Sequence, residues 1–168
     1  MFDDQVEVIH DRMPAQHVKE LTEKEYYVRG MTALLDAVGS AIDHTVEVHK
    51  HTKPEFVPEK TLFVITTDGM ENSSIEYSYE QVRRKIRHEQ EKHGWEFIFL
   101  GANIDAVETA ASIGIKKRNA VNFICDEIAM PKVMESVSVA MSSMRAGNAQ
   151  VCENWAEEVH KDYKKRRR

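Results

Sequence analysis

Cysteine is scarce in this sequence: the chain of 168 residues contains two, Cys125 and Cys152. They have neither the spacing of metal-ligand pairs nor the density of a disulfide scaffold, so both are predicted to be free thiols. Free thiols are typical of a reducing compartment, and we expect a cytoplasmic protein.

Long apolar stretches are missing as well. No run approaches the roughly 20 apolar residues that a membrane-spanning helix needs. The first residues, Met-Phe-Asp-Asp-Gln, lack the basic region and apolar core of a signal peptide. Neither secretion nor insertion into a membrane is therefore expected.

Positive charge is in the minority. Lysine and arginine number 23 against 28 aspartates and glutamates, which gives a formal net charge of -5. Nucleic-acid-binding proteins usually carry a basic surface, so nucleic acid is not an expected partner. The motifs G-x-S-x-G, G-x-x-x-x-G-K-[ST] and G-x-G-x-x-G are also missing from the sequence, which excludes the common nucleophile and phosphate loops.

The sequence does have the composition of a globular domain, with 42% hydrophobic and 30% charged residues. Its length suits one domain with a full core rather than two. We expect a domain over residues 1–146 and a helical or disordered tail over residues 147–168. The tail ends in a basic run that could contact phosphate or anionic lipid, although a solvated, frayed tail is the favoured interpretation beside an acidic domain.

The domain is organised around residues 61–72. Residues 61–67 form a continuous apolar and β-branched run, which predicts a strand buried on both faces. Asp68 and Gly69 follow at once, so a carboxylate lies just beyond the carboxyl end of a strand, where open α/β sheets bind ligands. Asp68 is therefore a candidate site residue. The alternative is that Asp68-Gly69 only makes a turn.

Strands and helices alternate along the rest of the chain. Strands are predicted at 95–100 and 119–125, and helices at 32–48, 78–93, 105–114 and 128–144. This order predicts an α/β fold of three layers, with a mostly parallel, doubly wound sheet of Rossmann-like type. Right-handed crossovers place successive units side by side, so we expect the strands at 61–67, 95–100 and 119–124 to be adjacent in that order.

Less regular patterns precede the first long helix. Residues 5–10 alternate polar and apolar side chains, and residues 16–21 suit a short edge strand. Thr22-Glu23-Lys24-Glu25 has the form of a capping box and predicts a helical turn. Thr32 stands at the start of the 32–48 helix, where its hydroxyl could act as an N-cap.

With Thr32 and Asp68 at one edge of the same sheet, the pattern resembles the von Willebrand factor A (vWA) domain. In this family a metal-ion-dependent adhesion site (MIDAS) combines a D-x-S-x-S motif after the first strand, a threonine opening a later helix and an aspartate after the central fourth strand. Gly-Met-Thr-Ala-Leu-Leu-Asp-Ala at 30–37 resembles the threonine loop, and Ile-Thr-Thr-Asp-Gly at 65–69 resembles the aspartate loop.

Further segments are similar to a bacterial and phage-associated subgroup of these domains. They share their order and local sequence with that subgroup and lie at residues 2–4, 26–36, 68–72 and 95–103. The likeness covers residues 1–144.

One part of the family pattern is missing. No aspartate of this sequence is followed by serine at both the second and fourth positions, so D-x-S-x-S is lacking. The resemblance therefore implies a vWA-like domain without the family's first strand and helix. In the family's sheet that strand lies between the equivalents of residues 5–10 and 61–67. We expect these two segments to pair directly, or a second copy or a separately encoded N-terminal fragment to fill the slot, because unpaired strand edges recruit other strands.

The resemblance implies Thr32 and Asp68 as metal ligands for Mg²⁺ or Mn²⁺. One hydroxyl and one carboxylate give little affinity without further ligands, so we expect weak or no binding by this chain alone. His44, His49 and His51 cluster in the sequence but fall at a helix end and in a loop, and no zinc site is predicted there.

The leading functional hypothesis is a protein-binding module of vWA type, not an enzyme, which recognises a protein partner through a partial MIDAS. The alternative is a metal-dependent phosphoryl-transfer or hydrolase enzyme that uses Asp68 with Asp105 and Asp126, which follow later strands. A third hypothesis is a remnant without independent activity. Three carboxylates around one cavity would favour the enzyme, whereas Thr32 facing Asp68 alone would favour the binding module.

Overall fold

Three strands form one parallel sheet in the computed structural model, which describes residues 1–20, 22, 30–147, 151 and 154–167. The strands are β1 (Leu62–Thr67), β2 (Glu96–Ala102) and β3 (Ala120–Phe123), in the spatial order β1-β2-β3. Both pairs are parallel. The predicted order and direction of these strands are confirmed.

Four helices alternate with the strands as the sequence pattern predicts, and a fifth lies in the segment expected to be a tail. They are α1 (Leu34–His51), α2 (Tyr79–His93), α3 (Ala106–Ser112), α4 (Ala129–Arg145) and α5 (Glu157–Arg166), with short 3-10 turns at Ala15–His17, Pro54–Phe56 and Lys117–Asn119. Ser78 and Gln81 form the predicted capping box of α2, and Gly94 ends that helix with a left-handed φ of 65°.

Strand β2 is covered on both faces of the sheet, since alternate side chains of a strand point to opposite sides and both sets are buried. Phe97 and Phe99 of β2 pack in one cluster with apolar residues of α1, α2 and α3. Ile98 and Leu100 pack in a second cluster with residues of α4 and α5. Every residue of β2 is buried. The chain therefore has a Rossmann-like α/β layout, with β2 at its centre.

The segment beyond residue 147 differs from the solvated tail that its charge favours. Val151, Trp155, Ala156 and Val159 are buried in the second cluster, and Trp155 Nε1 donates a hydrogen bond to the Arg118 carbonyl at 3.0 Å. Burial of a large apolar side chain contributes about 1.5–3 kcal/mol, which outweighs the preference of a charged helix for solvent. Most of the charge of α5 lies on its exposed side.

The strands predicted near the start of the chain are wrong. Residues 5–10 form bends, with one isolated antiparallel bridge between Phe2 and Val6. Val8 is 71% exposed, so the polar and apolar alternation does not mark a buried face. Residues 16–20 contain the end of a 3-10 turn instead of an edge strand. Leu21 and residues 23–29, which include most of the predicted capping box, lie outside the described residues.

The outer edge of β1 has no partner strand within the described residues, since β1 pairs there with β2 alone. Direct pairing of residues 5–10 with β1, one of the two outcomes expected for this edge, is not formed. The prediction that β1 is buried on both faces is wrong, because Val64 is 39% exposed and Thr66 is exposed as well. None of the helices in the described ranges is long and apolar enough to cross a membrane.

Candidate functional site

Thr32 and the loop after β1 meet at the carboxyl edge of the sheet. The Thr32 N–H donates to Asn72 Oδ1 at 2.8 Å, and the Thr32 carbonyl accepts from the Asn72 N–H at 3.0 Å. A Cβ at Gly69 would lie 2.6 Å from the Thr32 hydroxyl oxygen. Only glycine lets the two loops approach this closely. The two loops that resemble the vWA motifs are therefore neighbours.

Asp68 lies at the tip of the turn that ends β1. The Thr67 hydroxyl donates to the Gly69 carbonyl at 3.0 Å and accepts from the Gly69 N–H at 3.3 Å, which holds the turn. The Asp68 side chain is exposed. Within the described part of the chain its carboxylate has neither a hydrogen bond nor an ion pair, so it is available to a ligand.

Glu71 holds the start of α1 from a distant loop. Its Oε1 accepts from the Ser73 and Ser74 N–H groups at 3.0 and 2.8 Å. Its Oε2 accepts from the Leu35 N–H at 2.9 Å and from the Ser74 hydroxyl at 2.7 Å. Burial acts to raise the pKa of Glu71, but the hydrogen bonds from Ser74, Leu35 and Ser73 hold it below its ordinary value.

These contacts replace the N-cap suggested for Thr32. The N-cap position is Ala33, which makes no side-chain capping bond. Ser74 Oγ accepts from the N–H groups of Leu35 and Asp36 at 3.0 and 3.1 Å, beside the bond from Glu71. The free N–H groups at the start of α1 are thus satisfied from outside the helix.

Asp36 fixes the same loop from the side of α1. Its carboxylate accepts from three successive backbone N–H groups, those of Ile75, Glu76 and Tyr77, at 2.8, 3.0 and 2.8 Å. The Tyr77 ring lies so close to Gly39 that a Cβ there would be 2.4 Å from it. We call residues 71–77 the clamp loop. Sequence reasoning missed Asp36, although a carboxylate within the apolar run 33–38 was a usable signal.

The carboxylates after β2 and β3 are engaged in helix capping. Asp105 Oδ1 accepts from the Val107 and Glu108 N–H groups at 3.1 and 3.0 Å, as the sequence predicts for the start of α3. Asp126 Oδ1 accepts from the N–H groups of residues 128 and 129 and pairs with Arg166 of α5. The hydrogen bonds from Arg166 and from the residue 129 N–H lower the pKa of Asp126 to about 2.

The three histidines of the 44–51 cluster have separate partners. His44 Nε2 lies 2.9 Å from Asp11 Oδ1, His49 packs edge-on against Trp95, and His51 Nδ1 lies 2.9 Å from the Glu47 carbonyl oxygen.

A different group converges at the end of α2. His88, Glu89 and His93 each place one ligand atom within 4.8 Å of the others, the one such group of three found in the described residues. Sequence reasoning did not single it out, although Glu89 and His93 lie four residues apart in a predicted helix, a spacing that places them on one face and was a usable signal.

Comparisons of this protein with models of known families, with curated proteins and with solved structures find no match. The resemblance to the vWA domain stays a prediction that rests on the residues quoted above. The geometry of the Thr32 and Asp68 loops is the observation from which a function can be argued.

Proposed function

We propose that the protein is a protein-binding module of vWA type that contacts its partner at the carboxyl edge of the sheet. In this proposal Thr32 and Asp68 hold part of a Mg²⁺ or Mn²⁺ site. The observation that carries it is the meeting of the two loops, with the Thr32 hydroxyl against Gly69 and the neighbouring Asp68 carboxylate exposed and unpaired within the described residues.

The donor set fits such an ion in kind. A hydroxyl and a carboxylate are oxygen ligands of the type that Mg²⁺ prefers, and Mg²⁺ often takes one or two carboxylates and fills its other positions with water. When bound, the ion would supply an open position for a carboxylate of the partner. No bond is broken in this recognition.

The clamp loop supports the proposal because it holds the threonine loop in place. Asp36 and Glu71 together accept hydrogen bonds from both α1 and the clamp loop, and Asn72 fixes both backbone polar groups of Thr32. A binding site needs such support to keep its ligands within about 0.5 Å of their working positions.

The missing ligands must come from elsewhere in this proposal, since the sequence contains no D-x-S-x-S motif. We propose that a partner segment carrying it adds to the outer edge of β1, where main-chain hydrogen bonds would hold it. A second copy of the chain could pair at the same edge but would not complete the site, because it lacks the motif as well.

The alternative enzyme requires free carboxylates near Asp68. The hydrogen bonds of Asp105 and Asp126 to helix N–H groups, and the ion pair of Asp126 with Arg166, favour the binding module over phosphoryl transfer. Mg²⁺-dependent cleavage of a chromogenic phosphoester that is lost in Asp68→Asn would favour the enzyme instead.

The test is calorimetric titration with Mg²⁺ and Mn²⁺, with and without a synthetic peptide that bears a strand and D-x-S-x-S. We expect weak or no binding by the chain alone, and a gain in metal affinity and melting temperature with the peptide. Asp68→Asn should abolish the gain, whereas Glu127→Gln removes another exposed carboxylate and should leave it intact.

Two outcomes would count against the proposal. Submicromolar affinity of the chain alone would mean that it holds further ligands. No gain with the peptide would exclude complementation. Size-exclusion chromatography with light scattering tests self-association separately, because a monomer at all concentrations excludes filling of the β1 edge by a second copy.

A further inference from the structure

The group formed by His88, Glu89 and His93 lies at the opposite edge of the sheet from Thr32 and Asp68. Helix α2 starts after the clamp loop, at the carboxyl end of β1, and returns the chain to the amino end of β2. The three residues stand in its last two turns, before Gly94. Their ligand atoms lie within 4.8 Å of one another.

Glu89 is the unusual member of this group. Its side chain is 7% exposed, yet no described residue donates a hydrogen bond to its carboxylate. The nearest cationic partner is His93, whose Nε2 lies 4.0 Å from Glu89 Oε2, which is beyond hydrogen-bond distance. The Glu89 oxygens are not among the fully buried polar atoms that lack a partner in the described residues, so they are open to water and to a cation.

We infer that His88, Glu89 and His93 form a binding site for Zn²⁺ or a similar divalent transition metal. Two imidazole nitrogens and one carboxylate oxygen are a known zinc donor set, in which water takes the fourth position. Imidazole ligands favour Zn²⁺, Cu²⁺ and Ni²⁺ over Mg²⁺. This site is therefore chemically distinct from the oxygen site proposed at Thr32 and Asp68.

The distances allow such a site after a small adjustment. Zinc bonds of about 2.0–2.2 Å in a tetrahedron place ligand atoms roughly 3.4 Å apart. The present separations of up to 4.8 Å must close by up to about 1.4 Å. The rings of His88 and His93 are exposed, with centroids 6.0 Å apart, so rotation about their side-chain bonds can supply this change.

The end of α2 also favours a cation. The last turn of a helix presents carbonyl oxygens, and its partial negative charge attracts positive charge. Glu89 adds a full negative charge there. Its own carbonyl accepts from the Trp95 N–H at 3.2 Å, which joins the end of α2 to the start of β2. A bound metal would therefore stabilise this junction.

The test uses the full chain, freed of metal with a chelator and then titrated with Zn²⁺ alone. We expect one zinc per chain by calorimetry, a higher melting temperature with zinc, and tetrahedral absorption bands with Co²⁺. His93→Ala and Glu89→Gln should each lower the zinc affinity by at least about 10-fold, since even changes outside the ligand shell cost that much. His88→Ala removes an exposed ligand and keeps the test decisive if the Glu89 variant folds poorly.

The matched control is the double variant Glu47→Gln, His51→Ala. These residues form another glutamate–histidine pair four residues apart on a helix, exposed at 58% and 75%. The control should keep the zinc affinity within about 2-fold, as should Asp68→Asn, since affinity changes at distant sites are small. The inference is overturned if zinc does not stabilise the chain, or if the control loses as much affinity as His93→Ala.

Discussion

Two carboxylates of this protein, Asp36 and Glu89, are both more than nine-tenths buried, at opposite edges of the sheet. Asp36 accepts three backbone hydrogen bonds from the clamp loop. Glu89 accepts none from the described residues, and two histidines stand beside it. Burial alone therefore does not tell what a carboxylate does. The donors around it do.

The difference follows from helix geometry. Asp36 lies in the first turn of α1, where it faces a loop with successive free N–H groups. Glu89 lies near the end of α2, where a helix presents carbonyl oxygens and offers no backbone donors. A carboxylate at the first position becomes part of the fold. One at the second position finds no backbone donor.

The largest effect is expected from Asp36→Ala. The substitution leaves three N–H groups of the clamp loop without an acceptor, and each such loss costs about 1–3 kcal/mol when buried. Because the loop is partly exposed, we expect a loss of about 3 kcal/mol in the free energy of unfolding, measured with urea. Glu47→Ala, on the exposed side of α1, should stay within about 0.5 kcal/mol of the unchanged protein. A loss below about 1 kcal/mol for Asp36→Ala would mean that water replaces the carboxylate.

A smaller loss is expected from Gly39→Ala, which tests the clamp loop by its packing. The new methyl group would meet the Tyr77 ring, and overpacking of this kind costs typically about 1–3 kcal/mol. Gly30→Ala is the control, because a Cβ there meets nothing within 4 Å. Equal melting temperatures for the two variants would show that Tyr77 moves aside freely.

A pH-dependent effect of about 1 kcal/mol is expected at Glu71, in line with the net value of an average hydrogen bond. Its pKa is lower in the folded chain than in the unfolded one, so ionised Glu71 stabilises the fold above its unfolded pKa. This contribution is lost as the pH falls through the folded pKa. Between pH 5 and about pH 3 the unchanged protein should lose more stability than Glu71→Gln. Parallel stability curves would contradict the role of Glu71 in the clamp.

The smallest effect is expected from Glu89→Gln in the metal-free chain. Glutamine has nearly the same shape as glutamate but carries no charge, and the change breaks no hydrogen bond to a described residue. The free energy of unfolding should therefore change by no more than about 1 kcal/mol, in either direction. Asp36→Asn, the equivalent change at the other edge, should cost more. Equal losses in the free energy of unfolding for the two variants would mean that Glu89 also accepts hydrogen bonds in the folded chain.

Local patterns were enough to predict the three strands and the helices α1 to α4, whereas the segment that holds α5 was expected to be a helical or disordered tail. A continuous apolar run marks β2 because both of its faces are covered, and helical periodicity marks α1 and α4. The run in β1 predicts its strand correctly, but one face of that strand is exposed at Val64 and Thr66. The strand predicted at residues 5–10 is wrong for a different reason. Alternating polar and apolar side chains form a strand only where a neighbouring strand pairs with them, and β1 does not pair with this segment.

Contacts between residues that lie far apart in the sequence cannot be predicted from local patterns. Glu71 reaches the Leu35 N–H across 36 positions, so no local signal shows that α1 is capped from another loop. His88, Glu89 and His93, in contrast, are close in the sequence, and Glu89 and His93 are neighbours because they lie four residues apart on α2. The burial of Trp155 likewise reflects the second cluster and not the charge of its neighbours.

Because α5 contributes to the second cluster, this cluster cannot be completed until late in the synthesis of the chain. The face of β2 and β3 that carries Ile98 and Phe123 is completed by Val159, which leaves the ribosome well after the sheet residues do. From Phe123 to Val159 the chain grows by 36 residues, which takes about 2–7 s at about 5–20 residues per second. Helix α4 reaches this face earlier, so the part of the cluster that α5 covers is the last to be closed. A chaperone that binds apolar segments would have its best opportunity in those seconds.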